Sequence, residues 1–524
     1  MRRRARIGAT AAALLLACGL AVTSAAGPAA AAATASWPVE GQNVMNTRDA
    51  AAETAISAAN VAHLKVKWSL TTNGDVPDTP AVSNGVAYFT DHGSATAPST
   101  LWAVNAGTGK VIWSKSISSY TGIAGDTSRS TPTIAGGLLI LGDFNAAAGG
   151  GAATGASLFA VSAATGQLAW KTTLDPSPVA VDTSSPVVYG ALAVVGVSSL
   201  EEQAAGNSSY PCCTFRGSVV AVNVVTGQIV WKTYMVPANG GKPGGYSGAA
   251  VWGSTPAIDP ATGLVYVGTG NNYTVPAGIC TQPNQTGCTQ PPATDHADSI
   301  VALSLLTGAI AWSTPTLTAD VSTTACTNPA EECGPDFDFG SGPNVYTAKM
   351  PNGLPRTLVG IGQKSGVYYA LDPVTGSVVW STKVGPGTEL GGIEWGAATD
   401  GTRVYAAESD FYGVPYTVNG KSITGGSWAA LDAATGKILW QTADPQGAPD
   451  LGYMTVANGV VYAPSNAGSG ANMYALNAAT GAVDWSYASG GSVVAGPAIV
   501  NGTVYWGSGY YIGTENNKFY AFGL

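Results

Sequence analysis

A short pattern of apolar and polar positions recurs along the chain. It consists of two aromatic or apolar residues, Ala, an apolar residue, a small or polar residue, two variable residues, Thr-Gly, three further residues and Trp. The alternation predicts a β-strand, the Thr-Gly pair predicts a turn in which Gly adopts a positive φ, and the last residues predict a second strand that ends at Trp. Complete copies occupy residues 101–113, 158–170, 219–231, 300–312, 368–380, 428–440 and 473–485.

A further strand pair precedes each hairpin, often with a turn dipeptide such as Asn84-Gly85 or Asn458-Gly459. Four strands per unit are typical of a β-propeller blade. Residues 60–68 supply a Trp-ending strand without its partner, and residues 519–522 supply the missing partner. The sequence therefore predicts an all-β fold, an eight-bladed β-propeller whose ring closes between the N- and C-terminal strands. We interpret the blade-ending residues as structural, packing between blades: Trp68, Trp113, Trp170, Trp231, Trp312, Trp380, Trp440 and Trp485.

Composition narrows the class of protein. The 524 residues include 31 Asp and Glu against 22 Lys and Arg, for a formal net charge of -9, and 45% are hydrophobic. The apolar content excludes a disordered chain, and the acidic balance argues against a nucleic-acid partner, because phosphate binding needs a basic face. His63, His92 and His296 are scattered and have no metal-ligand spacing.

The N-terminus has the features of a secretory signal peptide. Four Arg residues within the first six are followed by an apolar run over 11–22 and by the small-residue site Ala33-Thr34-Ala35. We therefore expect residues 1–35 to be a signal peptide, residues 36–524 to form the propeller, and the protein to be secreted, extracellular or periplasmic. Lipid anchoring at Cys18 is the alternative. No later segment is apolar and long enough to span a bilayer.

The remaining cysteines suggest an oxidising compartment, since cleavage leaves an even number. Proximity along the chain favours the pairs 212–213, 280–288 and 326–333, although other pairings stay open. Two long loops, 274–298 and 315–337, each carry one of the last two pairs. Long loops in compact repeat proteins are usually functional, so we expect them to wall a substrate cleft; surface decoration held by disulfides is the alternative.

The repeat A-x-D/N-x-x-T-G-x-x-x-W in eight blades resembles that of the pyrroloquinoline quinone (PQQ) family, and looks most like the polyvinyl-alcohol dehydrogenase branch of the quinoprotein alcohol dehydrogenases. The resemblance implies PQQ and Ca²⁺ as cofactors, with the cation held against the quinone by a Glu and an Asn. An Asp takes the alcohol proton, and hydride passes to the quinone. Non-catalytic scaffold lipoproteins of outer-membrane assembly carry similar repeats, so the site residues must decide the function.

The resemblance assigns candidate cation ligands and cofactor contacts. Residues 194–203 match a Ser-x-x-Glu segment in which Glu201 is the metal ligand and Ser198 a cofactor contact, with Glu202 as a rival to Glu201. Residues 249–276 match a segment in which Asn271 is the neutral metal ligand and Trp252 stacks on the quinone. The alternatives are a solvated acid pair, an interblade Trp and a turn.

Further segments complete the implied site. Residues 334–346 match a segment in which Asp338 is the catalytic proton acceptor and a metal ligand, with Asp336 as the rival; Gly340 stands where lanthanide-using relatives have an acid, which favours calcium. Lys364 would contact the quinone carbonyl. The remaining candidate cofactor contacts are Arg129, Thr183 and the vicinal pair Cys212-Cys213, which would either lie against the quinone or stiffen a loop.

The expected function is oxidation of a secondary alcohol or polyol, with polyvinyl alcohol as one candidate substrate. The electrons would pass to a separate acceptor such as a cytochrome c, because the sequence has no CxxCH haem motif. Two other classes of function stay open: a non-enzymatic propeller that binds protein or cell-wall partners, and a quinone-free propeller that binds sugars.

Overall fold

The computed structural model describes residues 35–144, 155–253, 255–279, 291–317, 320–325 and 334–524. Eight antiparallel sheets, each with a path of four strands, follow one another along the described chain and confirm the eight-bladed β-propeller. Residues 1–34 of the predicted signal peptide and four of the cysteines (Cys280, Cys288, Cys326 and Cys333) lie outside the described residues.

Seven blades are continuous in sequence. Blade 1 consists of Ala81–Ser83, Val86–Thr90, Thr100–Asn105 and Val111–Ser116. Blade 2 consists of Thr133–Ala135, Leu138–Gly142, Ala156–Ser162 and Leu168–Asp175. Blade 3 consists of Ala180–Val181 with Val187–Tyr189, Leu192–Ser199, Ser218–Asn223 and Ile229–Tyr234. Blade 4 consists of Ala257–Asp259, Leu264–Gly268, Ser299–Ser304 and Ile310–Pro315. Blade 5 consists of Asn344–Lys349, Pro355–Gly362, Val367–Leu371 and Val378–Lys383. Blade 6 consists of Ala398–Thr399, Arg403–Glu408, Ser427–Asp432 and Ile438–Ala443. Blade 7 consists of Thr455–Ala457, Val460–Pro464, Met473–Asn477 and Val483–Tyr487.

Blade 8 closes the ring as predicted. Its first three strands come from the C-terminus, Ala498–Val500, Thr503–Ser508 and Lys518–Gly523, and its fourth strand is Lys65–Thr71. The other elements are the two-strand pairs Ser247–Gly248 with Asn272–Thr274 and Tyr416–Val418 with Lys421–Ile423, the 3-10 turn Val61–His63, and the helices Ser118–Thr121 and Glu201–Ala204. No helix in the described part of the chain has the length and apolar character needed to cross a membrane.

The blade-ending Trp residues connect neighbouring blades. Each indole Nε1 donates a hydrogen bond of 2.9–3.2 Å to a backbone carbonyl of the next blade or, at the closure, of the segment before Lys65. The indoles also explain the Thr-Gly turns: Gly436 has a φ of 73°, and a Cβ there would lie 2.4 Å from Trp380. The donor and acceptor residues are Trp68–Ala106, Trp113–Ala163, Trp170–Val224, Trp231–Leu305, Trp312–Pro373, Trp380–Ala433, Trp440–Ala478 and Trp485–Leu64.

A segment outside the repeats, residues 37–50, runs along the first strands of six blades; we call it the N-terminal strap. Its backbone hydrogen bonds join Trp37 to Val82, Pro38 to Ile134, Val44 to Ile258, Met45 to Val345, Thr47 to Thr399 and Arg48 to Val456. Inside it, the Arg48 guanidinium and the Glu40 carboxylate form a buried ion pair with an N–O distance of 2.6 Å. The strap therefore ties most of the ring together from the side of the first strands.

Candidate active site

A cavity of about 900 Å³ lies among the loops that flank the first and second strands of the blades. Loops from different blades meet there because the first strand of each blade is the one nearest the ring axis. Six of the residues predicted from the sequence line the cavity, while Glu201, Asn271, Cys212 and Cys213 do not. The six lining residues are Arg129, Thr183, Ser198, Trp252, Asp338 and Lys364.

Asp338 is the most firmly held acid of the cavity. Its Oδ1 accepts a hydrogen bond of 2.7 Å from the backbone N–H of Asn271, and its Oδ2 accepts one of 2.7 Å from the indole Nε1 of Trp252. The Lys364 Nζ lies 3.3 Å from the same Oδ2. Donors from three loops therefore fix the position of this carboxylate, as a proton acceptor requires.

Lys364 joins the two acids that the sequence left as rivals. Its Nζ lies 3.2 Å from each carboxylate oxygen of Asp336 as well as 3.3 Å from Asp338. Burial alone lowers the pKa of Lys364, but the negative charges of Asp336 and Asp338 more than offset burial and hold that pKa well above its usual value. The ammonium also lies 5.1 Å from the ring centroid of Trp252. Lys364 is thus a buried permanent cation beside the candidate base.

The adjacent acids Glu201 and Glu202 have different roles in the structure. The Glu201 carboxylate is fully buried and accepts hydrogen bonds from the backbone N–H groups of Thr214, at 2.8 and 3.0 Å, and of Phe215, at 2.7 Å. Glu202 lines the cavity, and burial, assisted by the charge of Asp338, raises its pKa to about 8. Between the two alternatives from the sequence, the structure thus brings Glu202 to the cavity and commits Glu201 to a loop.

The vicinal cysteines belong to that loop. Cys212 and Cys213 are joined by a disulfide, as the sequence favoured, and Cys213 is fully buried in an apolar cluster. Neither residue lines the cavity, and the two residues that follow them, Thr214 and Phe215, bind Glu201. Of the two roles considered for this pair, the stiffening of a loop agrees with its position.

Asn271 lies behind Asp338 and is buried. Its Nδ2 donates to the carbonyl of Ser322 at 3.0 Å, and no described residue donates a hydrogen bond to its Oδ1. The amide is thereby oriented with its oxygen as the unused acceptor. No group of three His, Cys, Asp or Glu side chains among the described residues is assembled to hold a metal. A cation would therefore need this amide oxygen and ligand atoms from a cofactor besides the carboxylates.

Aromatic rings and one cation form another wall of the cavity. Trp252 packs edge-to-face on Trp395, with ring centroids 5.4 Å apart, and the Arg129 guanidinium lies 4.6 Å from the Trp395 ring. Within the described residues no carboxylate lies within 4 Å of that guanidinium. The Thr183 hydroxyl donates to the backbone carbonyl of Trp252 at 2.6 Å and so positions the indole. Arg129 therefore presents to the cavity a stacked cation that forms no ion pair with a described carboxylate.

The structure adds residues that the sequence reasoning missed. Trp395 and its neighbour Glu394 line the cavity. Trp395-Gly396 precedes the first strand of blade 6 just as Trp252-Gly253 precedes that of blade 4, so comparing the blades would have found Trp395. Glu394 stands before this dipeptide and has no counterpart in blade 4, where the residue is Val251.

The two long loops differ in their relation to the cavity. Described residues of the 315–337 loop line it: Ser322, Thr323, Thr324, Gly334, Pro335 and Asp336. No described residue of the 274–298 loop does so. The expected cleft wall is therefore present for the second loop only, within the described residues.

Burial of unneutralised acids predicts an unusual dependence of stability on pH. Burial raises the pKa of Asp78, Asp143 and Glu394 to about 7 each and that of Glu202 to about 8. Because these folded-state values exceed the unfolded ones of about 4, the stability they contribute is complete at low pH and is lost as the pH rises from about 4 to the folded-state pKa. Across that range we expect the cation-free protein to lose about 1.4 kcal/mol per pH unit for each of these acids, measured by urea unfolding at about pH 5 and pH 7. Equal or greater stability at the higher pH would contradict this electrostatic description.

Comparisons with known proteins agree with the geometry. The family described as glucose/ethanol/alcohol dehydrogenase, beta-propeller domain, matches residues 37–390, and the one described as outer membrane protein assembly factor BamB matches the shorter stretch 363–522. The chain is 32% identical over 511 residues to a polyvinylalcohol dehydrogenase of Sphingopyxis sp. (strain 113P3) and 31% identical over 492 residues to one of Pseudomonas sp.; each alignment covers 87% of this chain and 70% of the relative.

A solved structure supports the same fold. The quinohemoprotein alcohol dehydrogenase ADHIIG of Pseudomonas putida HK5 superimposes with a TM-score of 0.71 at 19% identity, over 94% of this chain and 80% of that one. The repeats, the closed ring and these matches identify the fold and the kind of enzyme together. The chain belongs to the PQQ-repeat family of alcohol dehydrogenase β-propellers, a family of oxidoreductases.

Proposed function

We propose that this protein is a secreted, calcium-dependent quinoprotein dehydrogenase that oxidises secondary alcohols or polyols. The observation that carries the proposal is the Asp338 carboxylate, held by the Asn271 N–H, the Trp252 indole and the Lys364 ammonium at the wall of a 900 Å³ cavity. A carboxylate fixed beside an aromatic surface and a buried cation provides a general base and a platform for a planar redox group.

The residues present fit a planar, polyanionic quinone together with a divalent cation. Arg129 offers its guanidinium to a ligand carboxylate, because no protein carboxylate within the described residues is paired with it. Five acids, Glu202, Asp336, Asp338, Glu389 and Glu394, line the cavity against the two cations Arg129 and Lys364. Because these acids outnumber the cations, a divalent cation would help the cavity to accept an anionic ligand.

The roles of the chain's own residues follow from their contacts. PQQ, when bound, supplies the hydride acceptor. Asp338 would accept the proton of the substrate hydroxyl, and Lys364, 3.3 Å away, would hold that carboxylate in position while the alcohol binds. Trp252, fixed by Thr183 and Trp395, would support the flat face of the cofactor.

For the cation we propose Glu202, Asn271 and Asp338 as oxygen donors. Carboxylate and amide oxygens suit calcium, and the unused Oδ1 of Asn271 supplies the neutral donor. We favour Glu202 over Glu201 because Glu202 lines the cavity, whereas Glu201 does not and its carboxylate is bound by the backbone amides of Thr214 and Phe215.

The choice between these acids yields a direct prediction. Glu202→Gln should weaken Ca²⁺-dependent quinone loading by at least about tenfold, since the site loses a charged ligand. Glu201→Gln should leave loading nearly unchanged and lower the free energy of unfolding by about 1–3 kcal/mol, because charge-assisted hydrogen bonds are lost. Ca²⁺ titrations monitored by Trp fluorescence, and urea unfolding, separate the two effects. The reverse pattern would restore Glu201 as the ligand.

Four features support the proposed substrate class and the proposed location of the protein. The relatives at 31–32% identity are named polyvinylalcohol dehydrogenases, and Tyr412 and Tyr511 are half-exposed where they line the cavity, which suits a long polyol chain. The Cys212–Cys213 disulfide and the signal-like residues 1–35 agree with an oxidising compartment outside the cytoplasm. The electrons would leave to a separate acceptor such as a cytochrome c.

Reconstitution tests the proposal. The purified protein, incubated with PQQ and Ca²⁺, should reduce an artificial electron-acceptor dye when pentane-2,4-diol or polyvinyl alcohol is added. Omission of either PQQ or Ca²⁺ should abolish the signal. Saturation with bound quinone but no dye reduction by any secondary alcohol would contradict the proposed reaction.

A further inference from the structure

Glu394 is a buried acid of the cavity wall whose contacts no structural role explains. Its relative exposure is 4%, and its Oε2 is buried with no hydrogen-bond partner among the described residues. Its main chain is fixed, because the preceding residue, Ile393, donates its N–H to the carbonyl of Gln363 and the following residue, Trp395, packs on Trp252. The position of the carboxyl group therefore results from the fold and not from a contact of its own.

Glu201 is a buried acid whose hydrogen bonds give it a structural role. Glu201 is fully buried and both its oxygens accept backbone hydrogen bonds from Thr214 and Phe215. Leaving a buried carboxyl oxygen without any partner costs free energy that a stable fold usually avoids. Glu394 lines the cavity, so a ligand in the cavity is the partner that can relieve this cost.

The charged and titratable groups around Glu394 have opposing effects on its pKa. Burial raises its pKa to about 7, and Asp338 adds to this, whereas Lys364 and Arg129 lower it; Tyr510 is a further titratable neighbour. Neither Lys364 nor Arg129 lies within 4 Å of the carboxylate as an ion-pair partner among the described residues. Glu394 also makes no hydrogen bond to the proposed cation ligands. Its charge is therefore free to respond to a ligand.

The hydrogen-bonding groups of the expected ligand determine which protonation state of Glu394 can bind it. This step depends on the proposed function, in which the cavity holds a quinone whose oxygens and carboxylates are hydrogen-bond acceptors. An ionised Glu394 would face these acceptors as a second acceptor with the same charge, whereas the neutral acid can donate its O–H. We propose that Glu394 binds the quinone as the neutral acid and donates a hydrogen bond to it, so that cofactor loading takes up a proton at this side chain.

The measurement is calorimetry of PQQ binding to the Ca²⁺-saturated protein at pH 8. Titrations in HEPES and in Tris, which differ in ionisation enthalpy and do not precipitate Ca²⁺, give the number of protons taken up. The wild-type protein should take up close to one proton more than Glu394→Gln, because Gln has the same shape and donates without titrating. From pH 7 to pH 8 the PQQ affinity of the wild type should fall by up to about tenfold relative to that of the variant.

Glu408→Gln is the matched control. Glu408 is also fully buried with both oxygens unpartnered among the described residues, and burial raises its pKa well above the usual value, but it does not line the cavity. This control should take up protons as the wild type does. Equal proton uptake by the wild type and Glu394→Gln would overturn the inference while leaving the dehydrogenase proposal intact. Absence of PQQ binding by the folded wild type would overturn both.

Discussion

Asp338→Asn should reduce kcat for secondary alcohols by about 10²–10⁴-fold, the range that a positioned general base contributes. The amide has almost the same shape, but its single oxygen can keep only one of the two hydrogen bonds that the Asn271 N–H and the Trp252 indole donate to different oxygens of Asp338. It cannot accept the substrate proton. Steady-state kinetics of the PQQ- and Ca²⁺-loaded variant, with bound quinone quantified by its absorbance, measures the loss per loaded site.

Asp336→Asn is the matched control for this experiment, because Asp336 lies two residues before Asp338 and pairs with the same Lys364 at 3.2 Å. Asp336 has neither the backbone nor the indole donor of Asp338, so we expect its loss of kcat to stay within about tenfold, well below the contribution of a general base. A large loss for Asp336→Asn together with a small one for Asp338→Asn would assign the base to Asp336 and contradict our reading.

The largest expected effect on stability comes from the N-terminal strap. Arg48→Met should lower the free energy of unfolding by about 3–5 kcal/mol, because it leaves the Glu40 carboxylate buried without its counterion. Arg48 is fully buried, lies 2.6 Å from Glu40 and stacks 4.2 Å from the ring centroid of Tyr453. The other Glu40 oxygen accepts from the Thr255 hydroxyl at 2.7 Å, so the pair connects the strap to blade 4.

Urea unfolding of Arg48→Met and of Arg356→Met provides the comparison. Arg356 pairs with Asp372 at 3.0 Å, but its side chain is 42% exposed, and such surface pairs contribute at most about 1 kcal/mol. The double variant Glu40→Gln/Arg48→Met should recover part of the loss, because no unpaired charge stays buried. Similar small losses for both Arg variants would show that the strap contributes little to the stability of the ring.

The repeats made most of the fold predictable from the sequence, for a physical reason. Every blade buries Ala and apolar residues at the same positions of the repeat and donates the same Trp hydrogen bond, so each copy of the pattern predicts the same hairpin. The incomplete copies at the two chain ends predict that the ring closes between them. The N-terminal strap could not be predicted in this way. Residues 37–50 form backbone hydrogen bonds with six of the eight blades, and their side-chain contacts, such as that of Glu40 with Thr255, do not recur from blade to blade, so they leave no periodic pattern in the sequence.

The candidate site was predictable where a residue's position follows from its blade. Trp252, Asp338 and Lys364 flank the first or second strands, and the structure brings them together as expected. The sequence could not decide between Glu201 and Glu202, because the decision depends on which carboxylate accepts the hydrogen bonds of the Thr214 and Phe215 amides. These amides lie on a loop more than ten residues away, so the residues next to Glu201 do not predict the contact. Glu394 was missed because its significance lies in a missing partner, and only three-dimensional contacts reveal that.

The most direct test of the account is a crystal structure of the protein grown with PQQ and Ca²⁺, in which anomalous scattering locates the cation. Our account predicts an ion about 2.3–2.6 Å from the Glu202 carboxylate and from the Asn271 amide oxygen, with the quinone against Trp252 and Asp338 free to accept a proton. A cation ligated by Glu201, or a quinone bound elsewhere on the propeller, would contradict it.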